Sequence, residues 1–135
     1  MKELEIYIDG ASKGNPGHSG IGVIVLEHGT QVKNISRYIG TATNNVAEYT
    51  ALIYGLQEGL LSKAEHITVK TDSQLLCRQI NKEYKVKSQS ILNLYNQALQ
   101  LLSGFKKFSI KHIPREENIE ADKLATKAIK EAHVL

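Results

Sequence analysis

Cysteine is nearly absent. The 135 residues include one, Cys77, so no internal disulfide can form, and a reducing, cytoplasmic compartment is expected. Cys77 stands beside Leu75 and Leu76 in a helical pattern and is expected in or near the core. Long hydrophobic runs are missing too. The longest apolar stretch, around Ile21 to Leu26, is far too short to span a bilayer, so no membrane partner is expected. The N-terminus moves from Met1-Lys2-Glu3 straight into a strand-like pattern, with no visible signal peptide. No repeat, low-complexity tract or long linker divides the chain. A single domain over 1–135 is therefore expected, long enough to bury a proper core. No long apolar stripe is left over once that core is assigned, so a monomer is expected.

Several chemistries lack their residues. There is no His-Glu-x-x-His and no Cys-x-x-Cys, which removes support for zinc. No Gly-x-Ser-x-Gly elbow occurs, and the one glycine-rich turn lacks the Gly-Lys-Ser/Thr ending of a phosphate-binding loop. Charge of one sign is also modest. Seventeen Lys and Arg against fourteen Asp and Glu leave a net charge of +3, which permits a nucleic-acid partner without demanding one.

What is present reads as an α/β chain. Leu4, Ile6 and Ile8 alternate with Glu5, Tyr7 and Asp9 at the period of a strand. A turn-rich segment, Lys13 to Gly17, leads to a second strand over Gly20 to Leu26, and a turn at Glu27 to Thr30 leads to a third over Gln31 to Ile39. The pattern then changes period. Val46, Tyr49, Ile53, Leu56 and Leu60 recur at helical spacing from Asn45 to Leu60. A short strand follows at Ile67 to Thr71, then helices over Ser73 to Ile80 and Ser90 to Leu102. A strand over Phe105 to Ile113 and a helix over Asn118 to Ala132 end the chain. Short connections make the first three strands an antiparallel meander, and strands alternating with helices imply parallel pairing. The expectation is a mixed five-stranded sheet flanked by helices.

Four acids stand out by position. Asp9 is expected to end the first strand, Glu48 lies on an otherwise uncharged helix segment, Asp72 follows the fourth strand, and Asp122 opens the last helix. Each has a plain structural alternative. Asp9-Gly10 could form a turn, Asn45 to Glu48 has capping-box spacing, Asp72 could cap the next helix, and Asp122 suits a helix macrodipole. Their joint pattern points elsewhere. The carboxyl ends of adjacent parallel strands are where ligands sit in such sheets. Converging carboxylates repel one another unless divalent cations lie between them, and oxygen-only ligands favour Mg²⁺ or Mn²⁺. Two such ions, about 3.5–4 Å apart, are the recurrent device for phosphodiester cleavage.

Four segments then carry a resemblance. Tyr7 to Gly17 (YIDGASKGNPG), Thr43 to Glu48 (TNNVAE), Lys70 to Gln74 (KTDSQ) and Pro114 to Ala125 (PREENIEADKLA), in this order, resemble the type 1 ribonuclease H family over nearly the whole chain. The resemblance implies a ribonuclease H-like fold and metal-dependent endonucleolytic hydrolysis of the RNA strand of RNA–DNA hybrids. It implies that Asp9, Glu48, Asp72 and Asp122 are catalytic and hold two ions, and that Gly14, Asn15, Asn44, Asn45 and Gln74 contact the hybrid. Asn and Gln amides suit this task, since they can both donate to and accept from the 2′-hydroxyl that distinguishes RNA from DNA.

The family often places a mobile His before the last acid. His112 and Arg115 compete for that role here, with Arg115 favoured because it falls on the loop proper. The chain departs from some relatives in lacking a long basic insertion after the second helix. Lys82, Lys85 and Lys87 around Tyr84 are all that stand there, and they serve equally as phosphate contacts or as a solvated turn. A separate hybrid-binding domain, which other relatives carry, is not expected here either. Two rival readings remain open: an inactive nucleic-acid-binding module, or another nuclease on the same fold.

Overall fold

The computed structural model describes residues 1–134 and the side chains of residues 1–132; Leu135, the end of the expected domain, lies outside the described residues. Five strands form one sheet: β1 (Glu3–Gly14), β2 (Gly17–Glu27), β3 (Thr30–Ala42), β4 (His66–Thr71) and β5 (Lys107–His112). Their spatial order is β3-β2-β1-β4-β5. β2 pairs antiparallel with β1 and with β3, whereas β4 pairs parallel with β1 and with β5. The expected mixed sheet is thus present, with β1 as its central strand.

Four helices complete the fold: α1 (Asn44–Leu61), α2 (Gln74–Ile80), α3 (Gln89–Leu102) and α4 (Ile119–Val134). α1 lies on β1 and β2, and α3 packs on α1; α4 packs on β2, β3 and β1. Ile6 and Ile8 of β1, Ile21, Val23 and Val25 of β2, and Tyr49, Leu52 and Leu56 of α1 meet in the core at 0–1% exposure. Aliphatic side chains buried this completely each contribute roughly 1.5–3 kcal/mol of hydrophobic stabilisation. Cys77 is buried in the same core, as expected.

One sequence expectation needs correction, and two of the plain structural alternatives fall away. Asp9 does not end a strand. β1 continues five residues further to Gly14, and Asn15-Pro16 alone joins it to β2, because the pairing runs out to Gly14 opposite Gly17. Nor does Asn45 to Glu48 make a capping box. α1 begins one residue earlier, with Thr43 as its N-cap accepting from the Val46 N–H at 3.2 Å, so Glu48 lies beyond the first turn and is free of any capping duty. Asp72 does not cap α2 either. Ser73 does so, accepting from the Leu76 N–H at 3.2 Å.

Candidate active site

The parallel ladder between β1 and β4 ends at the pair Ile8–Thr71. Asp9 and Asp72 are the next residues on their two chains, so the register itself sets them side by side. Asp9 then continues in the antiparallel ladder, opposite Gly22 of β2.

Two glycines bring helices to this point. A Cβ on Gly10 would stand 2.3 Å from the Ala47 carbonyl carbon and 2.4 Å from the Glu48 nitrogen. Only a glycine there lets the backbone of α1 rest on β1, and that contact delivers Glu48 beside Asp9. A Cβ on Gly22 would stand 2.0 Å from the Ala121 carbonyl oxygen and 2.9 Å from the Ala125 nitrogen. That gap seats α4 against the strand position opposite Asp9, and Asp122 follows directly.

The result is a tight cluster. Carboxylate oxygens of Asp9, Glu48 and Asp72 all lie within 4.8 Å of one another. Glu48 Oε2 is buried and has no hydrogen-bond partner among the described residues. Asp122 joins the wall of the same cleft of about 640 Å³, together with Ser12, Lys13, Asn44, Arg115 and Thr126.

The electrostatics follow from this crowding. Burial first, then the charge of Asp72 and the approach of Asp122, push the Asp9 carboxyl up to about 8, with Arg115 opposing. Burial, Asp9 and Asp72 likewise hold Glu48 well above the usual carboxylate range, while the Gly10 backbone N–H opposes. A site with this much unneutralised carboxylate fits a hard dication, and the unpartnered Glu48 oxygen is an available ligand atom.

The remaining expected residues divide. The Asn15 side-chain oxygen accepts from the Asn44 N–H at 3.0 Å, so the β1–β2 hairpin carrying Gly14 and Asn15 is tied to the start of α1, where Asn44 and Asn45 stand. Gln74 is exposed at the first position of α2, two residues from Asp72. Arg115 opens a 3-10 turn and reaches the cleft wall. His112 closes β5 opposite Thr71, is exposed, and is not among the cleft-lining residues. Sequence reasoning missed Thr126, one helical turn after Asp122 and hence on the same face of α4, a spacing that could have found it. It also missed Ser12 and Lys13, which enter the wall because β1 runs on past Asp9.

Comparison with known proteins agrees with this architecture. Residues 7–128 match the family described as reverse transcriptase-like. The N-terminal RNase H domain of a Mycobacterium tuberculosis protein superposes with a TM-score of 0.91 at 40% identity, covering 94% of this chain and 98% of that one. RNase H1 of the halophilic archaeon Halobacterium salinarum superposes with a TM-score of 0.93 at 36% identity, covering 96% and 98%. The chain belongs to the type 1 ribonuclease H family. A third family member, LC11-RNase H1, is solved in complex with an RNA/DNA hybrid and superposes with a TM-score of 0.90 at 37% identity, covering 96% of this chain and 98% of that one. The chain spans 35% of the length of a Mycobacterium tuberculosis bifunctional protein that it matches at 41% identity, and 65% of that of Halobacterium salinarum ribonuclease HI. Among the described residues, no helix is long and apolar enough to cross a membrane.

Proposed function

We propose that this chain is an endoribonuclease that hydrolyses the RNA strand of RNA–DNA hybrids, with Asp9, Glu48, Asp72 and Asp122 as its metal-binding acids. The observation that carries the reading is the convergence of three carboxylates within 4.8 Å, with a buried Glu48 oxygen left without a partner. Carboxylates kept only to bind nucleic acid would repel its phosphates, so this cluster favours catalysis over a passive binding module.

In this reading Asp9, Glu48, Asp72 and Asp122 would together hold two Mg²⁺ or Mn²⁺ ions, Asp9 serving both, Glu48 and Asp72 serving one and Asp122 the other. Ions held there supply an activated water and charge stabilisation for the leaving oxygen. Water attacks phosphorus in line, leaving a 5′-phosphate and a 3′-hydroxyl. Gly14, Asn15, Asn44, Asn45 and Gln74 read the hybrid, Gly14 by close backbone approach and the four side-chain amides by recognising the 2′-hydroxyl. Arg115, at the cleft wall, takes the loop role in preference to His112 and offers a phosphate contact. The chain acts as a single domain over 1–135, as a monomer and in the cytoplasm.

The test is cleavage of a labelled RNA–DNA hybrid with Mg²⁺ or Mn²⁺, beside all-RNA and all-DNA duplexes and the Asp72→Asn variant. Metal-dependent cutting of the RNA strand of the hybrid alone, lost in the variant, is the expected result. Cleavage of all-DNA substrate would point to a different nuclease on this fold, and normal turnover by Asp72→Asn would remove the assignment of the acids.

A further inference from the structure

Helices α1 and α2 are capped conventionally, by the hydroxyls of Thr43 and Ser73 accepting from backbone N–H groups of their first turns. The residue immediately before α4 is Asn118, also a preferred capping type, yet its side chain does something else. Its Nδ2 donates to the Ile8 carbonyl at 2.8 Å, across 110 positions of sequence. Its Oδ1, the atom that would cap, is buried and has no hydrogen-bond partner among the described residues. The residue is 1% exposed. An amide that leaves its own acceptor unsatisfied in the interior gives up about 1–3 kcal/mol, so the bond it makes instead needs a reason.

That reason lies in what the bond joins. Ile8 immediately precedes Asp9. The Asn118 carbonyl accepts from the Asp122 N–H at 3.1 Å, and the Asn118 N–H donates to the Arg115 carbonyl at 2.9 Å. One buried residue therefore links the strand position next to Asp9, the first helical bond to Asp122, and the turn bearing Arg115. We propose that Asn118 is a positioning residue that holds Asp122 and Arg115 in register with Asp9 through its side-chain bond to the Ile8 carbonyl. The inference rests on the reading of these acids as metal ligands. Besides the approach of the Asp122 carboxyl to Asp9 itself, this bond is what ties the start of α4 to β1. Gly22 lets α4 approach, and Asn118 sets how far along the strand it stands.

Asn118→Ser separates the two roles. Serine is as good an N-cap as asparagine but is too short to reach Ile8 while capping. If Asn118 positions the acids, Asn118→Ser folds, its new cap offsetting part of the loss of the Ile8 bond. Its Mn²⁺ affinity in the substrate-free protein, measured by titration calorimetry, weakens roughly 10–100-fold, the scale on which supporting shells act. Its kcat falls by a similar factor while KM for the hybrid stays within about twofold. Asn118→Ala shows the same losses and melts lower.

Parental Mn²⁺ affinity and kcat in Asn118→Ser, with losses only in Asn118→Ala, would overturn the proposal and leave a helix cap. If Asn118→Ala fails to fold, Asn118→Ser alone decides. A parental chain that binds Mn²⁺ but cleaves no hybrid would defeat the functional reading, while the affinity comparison would still decide the part played by Asn118.

Discussion

The two sides of the cleft are built by different means. On the β1–β4 side, Asp9 and Asp72 stand together because a parallel ladder ends one residue before both of them, and Glu48 is set beside them by backbone contact on Gly10. On the α4 side, Asp122 depends on a helix resting on Gly22 and on one side-chain hydrogen bond from Asn118. The first arrangement is enforced by main-chain pairing that runs through the core. The second is enforced by side-chain packing, with Ala121, Ala125, Ala128 and Ile129 of α4 buried on the β2, β3 and β1 face and only the start of the unit, at Ile119 and Arg115, exposed. Where main-chain ladders do the positioning, carboxylates can be crowded against their mutual repulsion. Where a helix end does it, there is room for adjustment.

Removing a member of each side tests the contrast most strongly. Asp9→Asn, Asp72→Asn and Glu48→Gln are expected to lower kcat by at least roughly 10³-fold, the scale seen when a catalytic group is deleted. Asp122→Asn is expected to lose less, about 10–100-fold, and to recover in part at raised metal concentration. Hybrid cleavage across a metal titration measures both. Equal losses on the two sides would erase the distinction drawn here.

The glycine seats come next. Gly10→Ala and Gly22→Ala each force a Cβ into a backbone at 2.0–2.5 Å, and each is expected to cost about 3 kcal/mol or more in urea unfolding. If the α4 side is the more adjustable, Gly22→Ala keeps more metal affinity than Gly10→Ala.

Acidity sharpens the comparison further. The folded Asp9 carboxyl keeps its proton up to about 8, while the unfolded one ionises near 3.8. Between those values the folded chain binds more protons than the unfolded chain, so rising pH favours unfolding. The metal-free protein is therefore expected to lose stability progressively from about pH 4 to about pH 8. Mg²⁺, binding the ionised cluster, reduces that slope, and Asp9→Asn removes its own share of it while the buried Glu48 keeps the rest. Melting temperatures measured across pH with chelator or with Mg²⁺ show the difference.

The smallest effect belongs to Arg115. Arg115→Ala is expected to weaken hybrid binding a few-fold and to lower the magnitude of its salt slope by about one, as loss of one phosphate contact requires. Binding measured at several salt concentrations checks it.

Much of this was legible in the chain. The alternation in Leu4 to Asp9, the helical spacing from Val46 to Leu60 and the strand at Ile67 to Thr71 all correspond to elements of the structure. The four acids could be picked out because each falls at an expected element boundary or on an apolar helix, although Asp9 in fact lies inside β1. Less legible was how far β1 runs. Asp9-Gly10 has the composition of a turn, and only pairing with β2 out to Gly17 keeps it extended. The helix starts were misplaced by a residue or so because Thr43 and Asn45, like Ser73 and Asp72, are chemically interchangeable as caps, and the choice between them depends on where the preceding strand releases the chain.

Residue type and spacing by themselves determined the α/β order of elements and marked out the four acids as candidates. These are local properties, carried by period and side-chain chemistry. Tertiary structure alone decided that three acids share one space while Asp122 stands at its edge, that Arg115 and not His112 reaches the cleft, and that Asn118 gives up a cap to hold β1. Those outcomes depend on ladder register and on where a missing Cβ lets two backbones touch, and both join residues far apart in the chain.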